Sequence, residues 1–87
     1  MERYLVVEVE RCGGMALKWN GRVGVPDRVC LLPGGQVIFV EVKRPSGRLS
    51  KMQIHIHGKM RKLDMDVRVV WSKEDVDALI REIRVHP

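Results

Sequence analysis

Glu41 and Lys43, in the run IFVEVKRP (38–45), are the side chains of this sequence best placed to do chemistry. Four apolar residues lead into them, so both charges sit at the end of a segment that reads as a buried strand. Charge in such a place is costly unless something pairs with it. Side chains alternate along a strand, so Glu41 and Lys43 point to one side together. A third charge comes from Asp27. Arg28 to Leu32 and Gln36 to Lys43 read as two strands around Pro33-Gly34-Gly35, an antiparallel hairpin. If all three turn residues form the loop, Asp27 stands directly opposite Glu41, with Cβ atoms roughly 4.5–5.5 Å apart. If the loop is the two glycines alone, Asp27 is a diagonal neighbour.

Two carboxylates that close repel unless a cation lies between them. Oxygen ligands with little sulfur or imidazole nearby favour a hard ion, Mg²⁺ or Mn²⁺. Mg²⁺ takes one or two carboxylates, keeps several waters and completes its shell with substrate phosphate oxygens. Lys43 would then neutralise charge on that phosphate or hold the attacking water. These are the parts of metal-assisted phosphodiester hydrolysis. The plain alternative is a Glu41–Lys43 ion pair bridging to Asp27 at a sheet edge.

The elements that must position these residues follow from periodicity. Residues 2–12 read as a helix, with Leu5, Val9 and Cys12 on one face and Gly13-Gly14 as the stop, although the valines and the alternation from Val7 to Glu10 also suit a strand. Residues 15–20 form a strand ended by Asn20-Gly21, and 21–26 a glycine-containing loop. The apolar runs VCLL and VIFV place the hairpin centrally, with both faces covered. Ser50 and Gln53 have capping-box spacing, opening a helix whose apolar stripe is Met52, Ile56, Met60 and Leu63. Residues 66–71 are a strand. Ser72 caps a last helix with Asp75 at its third position and Val76, Leu79, Ile80 and Ile83 on its apolar face. The order αβββαβα implies an α/β sandwich, a hairpin-based sheet with helices packed on it.

A chain of 87 residues supports one domain over 1–87, burying roughly 60–65% of its unfolded surface. With 45% hydrophobic and 31% charged residues it is neither disordered nor fibrous. MERYLVVEVER is too often interrupted by charge for a signal peptide, and no run approaches the roughly 20 apolar residues of a membrane span. A cytoplasmic protein with no membrane association is expected. Cys12 and Cys30 lack paired spacing, which argues against zinc and favours buried free thiols. The net charge of +5 favours a polyanionic partner, and Lys43, Arg44, Arg48 and Lys51 cluster just after Glu41. Lys59, Arg61 and Lys62 follow on the next helix; a solvated face is the alternative for the whole run. His55 and His57 suggest zinc by their spacing, but residues two apart on a helix do not face each other. Exposed or DNA-facing histidines are expected. Trp19 and Trp71 are expected to pack the core rather than stack on bases.

The pairing of GVPDR (24–28) with FVEVKRPSGRLSKMQ (39–53) resembles the PD-(D/E)XK nuclease superfamily, and more closely the virus-type replication-repair nuclease family, VRR-NUC. The ordered set Glu2, Gly13-Gly14, Lys18, Pro26-Asp27, Glu41-x-Lys43 and Gln53 carries the likeness, over residues 2 to 71. The resemblance implies a restriction-endonuclease-like αβββαβ core with a C-terminal helix, a central mixed sheet flanked by helices. It implies that Asp27, Glu41 and the Val42 carbonyl are ligands of Mg²⁺ or Mn²⁺. Lys43 would be the catalytic lysine, Glu2 a helix glutamate near enough to act on the attacking water, and Gln53 the downstream glutamine, beside its capping role. Lys18 is similar to the family lysine. With Arg28, Arg44, Arg48 and Lys51 it completes the candidate nucleic-acid contacts.

The activity implied is that of a structure-specific DNA endonuclease leaving 5′-phosphate and 3′-hydroxyl ends. Stand-alone relatives resemble homodimeric Holliday-junction resolvases of DNA repair, with a phage or prophage source. Nothing in the chain reads as a sequence-reading module, so DNA shape should guide it more than base identity. Two other classes are open: a non-catalytic basic nucleic-acid-binding subunit, and an ordinary α/β interaction domain.

Overall fold

The computed structural model describes residues 1–85, in the order α1 (Glu2–Arg11), β1 (Met15–Lys18), β2 (Arg28–Leu31), β3 (Val37–Val42), α2 (Lys51–Lys62), β4 (Val67–Val70) and α3 (Lys73–Val85). The tip between β2 and β3 is the short 3-10 turn Pro33–Gly35. The first segment is a helix, as its apolar spacing predicts, and Leu5 and Val9 are fully buried. It ends in a Schellman motif. Gly13 takes φ +86 and donates to the Glu10 carbonyl, while the Gly14 N–H reaches back to that of Val9.

The sheet runs β1-β2-β3-β4, antiparallel across its first two pairings and parallel between β3 and β4. A parallel neighbour needs a crossover, which α2 supplies. One sheet face carries the main core. Ala16, Cys30, Ile38, Val40 and Val70 meet Leu5 and Val9 of α1 and Val76, Leu79, Ile80 and Ile83 of α3. All four of the α3 positions picked out by helical spacing are therefore buried. The α3 start is held by the Ser72 hydroxyl, which accepts from the Asp75 N–H at 3.1 Å, while the Asp75 carboxylate accepts from Trp71 N–H at 2.8 Å. Cys30 is buried and Cys12 half-buried, and both are free thiols.

Two expectations fail on the opposite sheet face. The hairpin is central, but its tip half is open: Leu31 and Val37 are exposed, as are Met15 and Leu17 beside them on β1. The helix α2 packs over the end of the sheet where Glu41 lies. Its expected stripe fails too. Ile56 is buried, but Met52 is exposed and Leu63 is 71% exposed. The helix is rolled so that Gln53 and His57 face Glu41. Leaving a carboxylate buried without donors costs more than leaving methionine and leucine in water. No helix among the described residues is long and apolar enough to cross a membrane.

Candidate active site

The hairpin register brings the two carboxylates together. Arg28 pairs with Val40 and Leu31 with Val37, so one step beyond the ladder Asp27 lies opposite Glu41. The three-residue loop is thus the correct alternative, closed by Leu32 N–H donating to the Gln36 carbonyl at 2.8 Å. That bond also fixes which residues exchange ladder hydrogen bonds, since bonded pairs recur at every second position. Val42 consequently turns its N–H and C=O toward Pro26 and Asp27. Its N–H donates to Asp27 Oδ2 at 2.9 Å. Continued two steps past Arg28 and Val40, the ladder would set the Val42 carbonyl opposite Pro26, which has no N–H to give.

Glu41 is only 2% exposed, deep for a charged residue. Its Oε2 accepts from Gln53 Nε2 at 3.1 Å and lies 3.6 Å from Lys43 Nζ. Its Oε1 has no donor. Burial first, and the neighbouring Asp27 charge second, push its carboxyl up to about 7, with Lys43 pulling the other way. Both roles read for Gln53 are present. Its backbone N–H donates to Ser50 Oγ and its Oε1 accepts from Ser50 N–H, completing the capping box. The amide oxygen being used there, the NH₂ group is what faces Glu41.

His57 departs from expectation. His55 is exposed, but His57 is fully buried, with Nε2 3.9 Å from Glu41 Oε1. Neither ring nitrogen has a hydrogen-bond partner. Burial holds its pKa below the usual imidazole range, reinforced by Arg61 and Lys43 and opposed by Asp27, so the ring is neutral. A signal for it existed in the sequence. His57 follows Gln53 by four residues, which places both on one helix face.

Among the described residues, Glu41 Oε1 and the two His57 nitrogens are the buried side-chain atoms that lack a partner. Two adjacent carboxylates, one of them raised by burial first and by its neighbour's charge second, form an oxygen site short of positive charge. No group of three or more His, Cys, Asp or Glu side chains is placed to hold a metal ion by itself among the described residues. The set suits a cation that keeps waters and substrate oxygens, as Mg²⁺ does, and not a closed zinc site.

The other predicted residues surround this centre. Glu2 accepts from Arg28 Nε at 2.9 Å and Nη2 at 2.8 Å, and Arg28 Nη1 donates to the Ala16 carbonyl at 3.2 Å. Arg28, read as a phosphate contact, thus spends its donors inside the protein, because it must cross β1 and hold the start of α1. Lys18, Arg44, Arg48 and Lys51 are exposed. The last three lie on the segment that leaves β3 at Lys43 and enters α2, and Trp71 Nε1 donates to Gly47 O at 3.3 Å to pin it. Trp19 is half-buried against Phe39, with ring centroids 5.2 Å apart.

Gly24 lets the loop before Asp27 touch α2. Its φ is +95, and a Cβ there would stand 2.9 Å from the Met52 carbonyl oxygen and 2.8 Å from Ile56 Cγ1. Gly24→Ala should therefore destabilise the fold by about 1–3 kcal/mol, read as a lower urea midpoint at unchanged slope. A midpoint equal to wild type would show that the loop can part from α2 freely.

Residues 4–74 match the model of the VRR-NUC domain family. A protein of Acyrthosiphon pisum secondary endosymbiont phage 1, named "Putative nuclease p44", is 38% identical over 82 residues, covering 92% of this chain and 87% of its own. A solved structure titled "VRR_NUC domain" superposes with a TM-score of 0.83 at 36% identity, covering 92% of this chain and 89% of that one. The family match starts at Tyr4 and so leaves Glu2 outside it.

Proposed function

The chain belongs to the VRR-NUC domain family and is a nuclease, and from that premise we propose that it is a divalent-metal-dependent, structure-specific DNA endonuclease acting on branched DNA. The observation that carries the metal reading is Asp27 opposed across the hairpin to a buried Glu41, whose charge both burial and Asp27 disfavour. Asp27, Glu41 and the Val42 carbonyl would hold Mg²⁺ or Mn²⁺. When bound, the cation would supply Lewis-acid polarisation of the scissile phosphate.

The chain's own groups do the rest. Gln53 fixes the Glu41 carboxylate by donating to Oε2, and Val42 N–H fixes Asp27. Lys43, 3.6 Å from Glu41 and with its side chain 22% exposed, would meet both Glu41 and a phosphate oxygen or the attacking water. Arg44, Arg48 and Lys51, exposed on the segment after Lys43, would take the flanking phosphates, which would make binding salt-dependent. Glu2 is held by Arg28, the residue after Asp27.

A two-fold junction needs two cuts, and a C₂ homodimer supplies two related sites. The resolvase form of the proposal therefore requires a dimer. The test is cleavage of a labelled four-way junction and a matched linear duplex, with Mg²⁺, with Mn²⁺ and with chelator, alongside light scattering of the protein–junction complex. Paired metal-dependent nicks on the junction by a dimer are expected. Salt-sensitive binding without cleavage of any branched substrate would instead identify a binding subunit.

A further inference from the structure

His57 is a buried polar group that the chemistry above leaves unused, and its position is specific. It lies one helical turn after Gln53 on α2, so both side chains project from the same helix face toward Glu41. Gln53 Nε2 donates to one carboxylate oxygen, Oε2. His57 Nε2 is 3.9 Å from the other, Oε1, which has no donor. A side-chain shift of about 1 Å brings that pair into hydrogen-bond range. A packing role alone explains the residue poorly. A fully buried imidazole with two unpaired nitrogens loses its hydration and recovers nothing, whereas leucine would fill the space at no such cost.

We propose that His57 is a positioning residue for the Glu41 carboxylate. Its neutral ring donates from Nε2 to Oε1, so α2 grips one oxygen with Gln53 and the other with His57. Both lone-pair directions of Glu41 are then set by one rigid helix. Ligating carboxylates are characteristically hydrogen-bonded in this way, and loss of such a partner typically costs roughly 10–100-fold in metal affinity or activity. The inference rests on Glu41 being a metal ligand, as proposed above.

The experiment compares wild type, His57→Leu and His57→Gln. Mn²⁺ affinity is measured without DNA, by electron paramagnetic resonance of the free ion, next to cleavage kinetics and thermal melting in chelator. His57→Leu should melt no lower than wild type, yet bind Mn²⁺ roughly 10–100-fold more weakly and lose kcat by a similar factor with KM for DNA unchanged. His57→Gln keeps a side-chain N–H and should recover most of the Mn²⁺ affinity. Nitrogen-15 shifts of the wild-type ring should report the Nε2–H tautomer. Wild-type Mn²⁺ affinity in His57→Leu, or an Nδ1–H tautomer, would overturn the assignment while leaving the metal site standing. A wild-type protein that binds no Mn²⁺ would overturn the metal site and this role together. If His57→Leu does not fold, the tautomer and the glutamine variant decide.

Discussion

Glu41→Gln is expected to abolish cleavage, by roughly 10³-fold or more in single-turnover rate, while binding to a labelled junction in chelator stays within about threefold. The two outcomes separate because Glu41 lies inside the sheet end at 2% exposure, whereas Arg44, Arg48 and Lys51, proposed to take the flanking phosphates, are exposed outside it. Glutamine keeps the volume and can still meet Gln53, so the fold should survive. What it removes is the ligand charge. Asp27→Asn should behave similarly for cleavage, since its amide oxygen can still accept from the Val42 N–H while the ligand charge is gone. Cleavage by Glu41→Gln at near the wild-type rate would place the metal site elsewhere.

The second large effect concerns stability without metal. The Glu41 carboxyl sits at about 7 in the folded chain against 4.5 unfolded. Between those values the folded protein holds a proton that the unfolded chain has released. The Glu41 contribution is therefore fully present below pH 4.5 and lost as pH rises through 7. The loss amounts to about 3 kcal/mol at most. His57, held neutral by burial, works the other way, adding stability as pH rises toward 6.5. Asp27 and Lys43 also face the carboxylate. Urea denaturation of wild type and Glu41→Gln in chelator at pH 5 and pH 8 isolates the Glu41 part. The variant should gain on wild type between the two, by up to about 3 kcal/mol. Saturating Mn²⁺ at pH 8 should narrow the gap by stabilising wild type alone, about 2.7 kcal/mol at a hundred times its Kd. A difference that stays constant with pH would mean that Glu41 is not strained by its surroundings.

The parts of the site that could be read from sequence are those fixed by counting residues along strands and turns. Opposition of Asp27 and Glu41 needs only the hairpin and its loop length, and the capping role of Gln53 needs only the spacing from Ser50. What escaped reading depends on how elements are rotated against one another. In α2, Met52, Ile56, Met60 and Leu63 have ideal helical spacing, yet only Ile56 among the first, second and fourth is buried. The roll of that helix is decided by hydrogen-bond demand at Glu41, a tertiary matter. His57 sits among Ile54, His55 and Ile56, a run in which no single residue declares the inward face. Arg28 beside Asp27 looks like a phosphate ligand in a one-dimensional reading. Its pairing with Glu2 requires α1 to come back across the sheet, which nothing local announces. The open face at Met15, Leu31 and Val37 escaped for the same reason, since the reach of a covering helix is not written in the strands it fails to cover.

The hairpin tip has a consequence for how the gene can vary. The turn Pro33–Gly35 lies at the opposite end of β3 from Glu41, and Gly34 and Gly35 both have positive φ, +82 and +81. Losing one of these glycines leaves a two-residue loop, which holds the arms in step only in a primed turn. Where the arms slip by one residue instead, every side chain of an arm turns to the other face, and Asp27 and Glu41 part although neither has been touched. A change of length at this apparently idle tip then acts as an active-site lesion at a place where no chemistry occurs.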